Sequence, residues 1–176
     1  MELNFNSKTS HMVNTTEMFL KGVQQHIDEE RKKRFAESNQ LSLGQIIEKL
    51  EVLAEKSKEQ EEERDEPMQV DYDFGTCIPT KLASWRGNYS ELALGYMLSG
   101  YDNDKDHFAK TTVHELLAEM KSAMGKVFDG WKGGEFMMGE NTPVWVDNQG
   151  NASNTAIIDI VDDGWRVLIM TQYHEW

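Results

Sequence analysis

Cysteine is nearly absent. Cys77 is the single one in 176 residues, so no disulfide forms within the chain and no thiolate metal cluster can assemble. A reducing cytoplasm suits such a chain. Basic residues are scarce beside acidic ones, 18 against 31, for a net charge of −13. A field of that sign repels phosphate backbones, which argues against direct nucleic-acid binding. It suits solubility alone, or a partner with a basic surface. Long apolar runs are missing too. Val167–Met170 falls far short of the ~20 residues of a membrane span, so no membrane partner is expected. The N-terminus, Met1-Glu-Leu-Asn-Phe-Asn6, has neither the basic n-region nor the apolar h-region of a signal peptide. Hydrophobic content is only 39% and charged content 28%. Both point to one folded domain joined to a solvated helical part.

Signatures of chemistry are also lacking. Asp102-Asn-Asp-Lys-Asp106 begins like a calcium loop, but His107 and Val113 occupy the places that need glycine and a bidentate glutamate. Gly125-Lys-Val-Phe-Asp-Gly-Trp-Lys132 falls short of a phosphate loop: Trp131 precedes the lysine, Gly133 follows it, and the segment leaves a helix instead of opening one. The 5 histidines form no His-x-x-x-His pair and join no cysteine, so no metal site is expected. Ser84 and Ser90 lack the glycines of a nucleophile elbow. Cys77 reads as a buried, inert thiol. No catalytic residue and no cofactor are expected.

What is present starts with a helical arm over residues 1–38, ahead of a domain over 39–176. A helix begins near Asn14 or Thr15, with Glu17 in its first turn. Phe19, Val23 and Ile27, with Leu20 beside them, make a narrow stripe that fades into Asp28-Glu-Glu-Arg-Lys-Lys-Arg34. Such a stripe needs a partner, and self-association through this helix is one candidate. Ser42-Leu-Gly-Gln45 is a capping box that opens a helix carrying Ile46, Ile47, Leu50, Leu53 and Ala54. The run 59–66 has no apolar residue and reads as a solvated helix end or acidic linker, stopped by Pro67. Met68–Phe74 alternates as a strand with Met68, Val70, Tyr72 and Phe74 on one face, broken by Gly75 and Pro79. Tyr89–Leu98 reads as a short helix. A second capping box, Thr112-Val-His-Glu115, opens a helix through Met124, with Gly125 beyond its end. Strands follow at 135–138 and 143–146. A hairpin pairs 156–161 with 165–171 around Asp162-Asp-Gly164. The fold class is α+β: a small, mainly antiparallel sheet with two or three packed helices, preceded by the arm.

Trp85-Arg86-Gly87-Asn-Tyr89-Ser-Glu91 and Trp131-Lys132-Gly133-Gly134-Glu135 concentrate aromatic, cationic and glycine residues. Glycine lets a backbone approach closely or take positive φ, arginine offers a planar fork, and the aromatic rings offer faces. Together they suit gripping a nucleotide-like molecule or anchoring a protein interface. They equally suit a structural role, with Trp85 and Trp131 as core plugs and Arg86 paired to Glu91 or an aspartate. The two segments follow similar capped helices, starting at Ser42 and Thr112. That is either a weak internal repeat or the ordinary likeness of two amphipathic helices.

These motifs carry a resemblance. The order Leu43-Gly-Gln-Ile-Ile47, Asp73-Phe-Gly75, Ser84–Leu94, Gly125–Gly134, Thr142-Pro-Val-Trp-Val146 and Ala156-Ile-Ile158 resembles a family of uncharacterised accessory proteins of tailed bacteriophages and prophages, over roughly residues 41–171. The resemblance implies a protein made in the cytoplasm of an infected bacterial host, and it transfers no catalytic residue. The favoured expectation is a non-enzymatic accessory protein that binds and inhibits or redirects a host protein, in counter-defence or host takeover. The alternatives are a sink for a nucleotide-derived signal and a nucleotide-processing enzyme using Glu91 or Glu135 as acid or base.

Overall fold

The structure, a computed structural model, describes residues 37–98, 110–147 and 153–175, together with positions 18, 19, 21–23, 26, 29 and 33. The chain divides into two compact units, Met1–Asn39 and Gln40–Trp176. In the first, positions 18, 19, 21–23, 26, 29 and 33 are helical, and Met18, Phe19 and Val23 are exposed. Residues 1–17 with the expected helix start at Asn14 or Thr15, Leu20, Ile27, the calcium-loop-like segment Asp102–Asp106 and residues 148–152 lie outside the described residues.

The second unit opens on α1 (Leu43–Arg64), and its capping box forms as read. Ser42 Oγ accepts from Gln45 N at 3.4 Å, and Ser42 N donates to Gln45 Oε1 at 2.9 Å. Leu43, Ile46, Leu50 and Ala54 are its buried stripe. The acidic run expected as a helix end or linker is its last turns. The helix continues to Arg64 and stops where Asp65 takes a left-handed φ of 59°. Helix α2 (Val113–Ala123) packs on α1 and buries Val113, Leu116, Met120 and Ala123. Its capping box, Thr112 with Glu115, also forms, and Gly125 follows at φ 72°. Among the described residues, no helix is long and apolar enough to cross a membrane.

The strands are β1 (Val70–Tyr72), β2 (Cys77–Ser84), β3 (Leu92–Leu98), β4 (Val127–Asp129), β5 (Glu135–Met137), β6 (Val144–Asp147), β7 (Thr155–Asp162) and β8 (Val167–Tyr173). Six of them form one sheet in the order β1-β8-β7-β6-β3-β2, while β4 and β5 form a separate hairpin. The fold is therefore mixed α and β, with a larger sheet than expected. The β1–β8 and β3–β6 junctions are parallel and the other three antiparallel. The parallel junctions join segments far apart in sequence, which local periodicity cannot show. The two edge strands, β1 and β2, are in contact, and Tyr72 on β1 also reaches past the edge to donate its hydroxyl to Leu94 O of β3 at 3.1 Å.

Two readings are corrected here. Residues 92–98 are a strand, not a helix. Leu92, Ala93 and Leu94 are buried in succession because both faces of this central strand are covered, and so continuous an apolar run carries no period. Pro79 does not end a strand but sits inside β2. That strand lies at the sheet edge, where a missing N–H is tolerated, and it bulges between Pro79 and Leu82. The amide of Leu82 at the bulge donates to Glu119 Oε1 of α2 at 3.1 Å.

The helices cover one face of the sheet. Leu92, Leu94, Val144, Val146, Ile157, Val167 and Ile169 meet them there. A bulge in β7 between Ile157 and Asp159 lets both Ile157 and Ile160 reach this core. Ala93, Trp145 and Ala156 point to the opposite face, where Trp85 covers them. Two ion pairs join α1 to β7, Lys49 with Asp159 and Lys56 with Asp162. The bonds from Lys49 and Lys56 hold both aspartyl carboxyls below their usual pKa of 3.8. A lowered folded pKa adds stability that is fully present above the unfolded value and lost as pH falls through the folded one. Replacing both residues (Asp159→Asn with Asp162→Asn) should lower the unfolding free energy at neutral pH and flatten its decline below about pH 4. Urea titrations of both proteins across that range check it, and parallel curves would contradict it.

Candidate functional site

The residues singled out in the sequence fall on two hairpin turns. The first joins β2 to β3. Trp85 N donates to Glu91 O at 2.7 Å and Glu91 N donates to Asn88 O at 2.9 Å, which closes residues 85–91 into a compact turn. Within it Trp85 folds back onto the sheet. It is only 3% exposed and stacks on Trp145 with ring centroids 4.3 Å apart and planes 11° from parallel. Gly87 makes this fold-back feasible, since a Cβ there would overlap the six-membered ring of Trp85. Trp85 is thus the core plug expected under the structural reading.

Glu91 lies beneath this turn, 4% exposed. Its Oε2 accepts from Trp145 Nε1 at 2.7 Å and its Oε1 from Asn88 Nδ2 at 2.9 Å. A buried carboxylate needs such donors, and here they tie the turn to strand β6. Asn88 Oδ1 in turn accepts from Ser90 Oγ at 2.8 Å. The nitrogen Trp85 Nε1 is buried without a hydrogen-bond partner among the described residues, and ring stacking seats the Trp85 side chain.

The second turn joins β4 to β5. Gly130 N donates to Gly134 O at 2.9 Å and Gly133 N to Gly130 O at 2.8 Å. Gly133 and Gly134 have φ of 92° and 93°, a region that disfavours any side chain. Trp131 stands at this tip, 67% exposed, so it is not the core plug that its sequence likeness to Trp85 suggested. Lys132 and Glu135 are exposed as well.

The two turns meet. Tyr89 reaches across to Phe136, with ring centroids 6.0 Å apart. Gly130 is buried between them, where an added Cβ would lie 2.9 Å from Phe136 Cε2 and 3.1 Å from Tyr89 Cδ2. Outside this contact, Arg86 lays its guanidinium 3.9 Å from the centroid of the Trp131 ring. The expected partner of Arg86 was Glu91 or an aspartate; the partner found is the indole of the other turn. The two Trp-cation-Gly segments thus share one junction.

No protein-family model, curated protein or solved structure matches the chain.

Sequence reasoning missed Trp145, Asn88, Gly130 and Phe136. Trp145 was legible in principle, since alternation along Val144-Trp-Val146 puts it on the face opposite two core valines. Gly130 and Phe136 are defined only by what crosses to them. Among the described residues, no group of three or more His, Cys, Asp or Glu could hold a metal ion. Burial pushes the Cys77 thiol above its ordinary pKa, which disfavours the reactive thiolate. The exposed part of the junction can stack on a ring and can donate from Arg86 and Lys132.

Gly87→Ala tests how much rests on the fold-back. We expect a loss of about 1–3 kcal/mol in chemical denaturation, from overpacking against Trp85, and a weakened near-ultraviolet signal from the stacked indoles. Gly139, which has no atom near its notional Cβ, is the control. Equal small effects at both positions would contradict the account.

Proposed function

We propose that the chain is a non-catalytic binding protein that grips a protein of a bacterial host and inhibits or redirects it, with the junction of the two turns as its anchor. One observation carries this reading: the Trp131 indole is 67% exposed, yet Arg86 lies 3.9 Å from its centroid. Large exposed aromatic rings that are already held in place are the side chains that dominate binding energy at protein interfaces. Arg86, Lys132, Tyr89, Glu91 and the glycines 87, 133 and 134 then have distinct parts. Arg86 and Lys132 flank the ring as donors, Tyr89 and Glu91 hold the turns, and the glycines allow their geometry.

The bacteriophage setting, counter-defence and the infected-cell cytoplasm rest on the order of sequence motifs alone. The net charge of −13 supports a partner that is basic over most of its surface. Glu91 argues for support and not acid–base work in the alternative enzyme reading, because both of its oxygens already accept hydrogen bonds from the protein. A nucleotide-derived molecule would use the same stack of ring and guanidinium, and it is the competing occupant.

The test is capture from infected host lysate on the immobilised protein and on Trp131→Ala, with native mass spectrometry of what is recovered. The variant should unfold within about 1 kcal/mol of the parent, the size of the cation–π contact it loses. It should capture at least about tenfold less of a stoichiometric protein partner. Recovery of a bound small molecule with no protein partner would overturn the reading, as would capture that ignores the substitution.

A further inference from the structure

The outer face of the β4–β5 hairpin, which carries Trp131 in its turn, is exposed. Val127 pairs with Met137, Phe128 with Phe136 and Asp129 with Glu135. Side chains alternate across a strand, so the two phenylalanines turn inward to the main core while the other four share the outer face. Met137 is 71% exposed and Val127 45%. Met124, also exposed, precedes the hairpin. At the tip end, Asp129 and Glu135 stand directly opposite each other and both are exposed. Like charges so placed, with Cβ atoms roughly 4.5–5.5 Å apart, destabilise a hairpin. Neither carboxylate has an ion-pair partner among the described residues, whereas Asp71, Asp159, Asp162 and Asp163 all have one. The nearby Lys126 is turned to the Phe128 ring, 5.1 Å from its centroid.

We infer that this face docks a basic amphipathic segment of the partner protein. A lysine or arginine of the segment sits between Asp129 and Glu135, and apolar side chains lie over Val127 and Met137. The inference rests on the reading of Trp131 as an anchor and gives the chemistry of what that anchor holds. Charge complementarity selects the occupant. A cation relieves the repulsion of the facing carboxylates, an anionic segment adds to it, and an uncharged one leaves it in place. The free protein then carries a local strain that the complex removes, and this separates the proposal from a merely solvated hairpin.

The probes are a labelled peptide of alternating lysine and leucine and its glutamate–leucine counterpart, measured by fluorescence anisotropy against the full chain. The lysine peptide should bind saturably and the glutamate peptide should not. Neutralising the pair (Asp129→Asn with Glu135→Gln) should weaken binding about fivefold or more while leaving the thermal midpoint equal or higher. Met137→Ser should weaken binding with the fold retained. Unchanged affinity in the neutralised protein, binding of the glutamate peptide, or a lower midpoint on neutralisation would each overturn the inference. If any of these appears while capture still depends on Trp131, the inference fails and the proposed function stands. If capture ignores Trp131 but peptide binding follows the charges, the anchor fails instead.

Discussion

The stack of Trp85 on Trp145 is the contact on which the rest of this domain depends. Helices α1 and α2 cover one face of the six-stranded sheet, and an inner strand with Leu92, Ala93 and Leu94 buried in succession needs cover on the other. Small side chains at Ala93 and Ala156 leave a shallow floor, and two indoles fill it. Aromatic rings bury much area for few residues, so a single turn suffices where a third layer of structure would otherwise be needed. The turn can fold back because position 87 carries no Cβ, and it stays folded because Glu91 holds Trp145 and Asn88 together. Arg86 follows directly in the chain, and its place over the second turn is a consequence of where Trp85 has gone.

Local signals in the sequence located what local physics controls. Both capping boxes form, the hairpin around Asp162–Gly164 pairs as its turn chemistry indicates, and the alternation from Met68 to Tyr72 marks a strand with its buried face. What failed was set by distant pairing. The strand at 92–98 looked helical because a strand buried on both faces has lost its alternation. Pro79 looked like a stop because nothing local shows that β2 lies at an edge. The parallel junction of β3 with β6 brings residue 92 beside residue 144, and only that pairing puts Trp145 under Trp85.

The candidate site was legible as a list of residue types but not as an arrangement. Two tripeptides of the same kind suggested two equivalent positions. In the structure one tryptophan is 3% exposed and the other 67%. The difference is topological. The turn between β2 and β3 starts from the main sheet and can fold onto it. The turn between β4 and β5 closes a separate hairpin whose inner face is already filled by Phe128 and Phe136. Trp131 therefore has no floor to cover, and the group that meets its ring is the guanidinium of Arg86.

That asymmetry bears on what the exposed residues are for. A fold that needed only a closed turn at 130–134 would have it from Gly130, Gly133 and Gly134, whose backbone bonds are made without Trp131. An exposed indole adds apolar area in water, and a facing pair of carboxylates adds repulsion; each disfavours the free protein. Arg86 offsets part of the first by a cation–π contact, worth about 0.5–1 kcal/mol at an exposed site. The same contact favours one orientation of the ring before association, which lessens the entropy lost on binding. In the proposed complex a basic, apolar segment relieves both features together: the exposed ring beside Arg86, and the carboxylates of Asp129 and Glu135, which have no ion-pair partner among the described residues. A purely structural role accounts for Trp85, Gly87 and Glu91 in full. It gives no reason for the exposure of Trp131 or for the charges that face each other on the same hairpin.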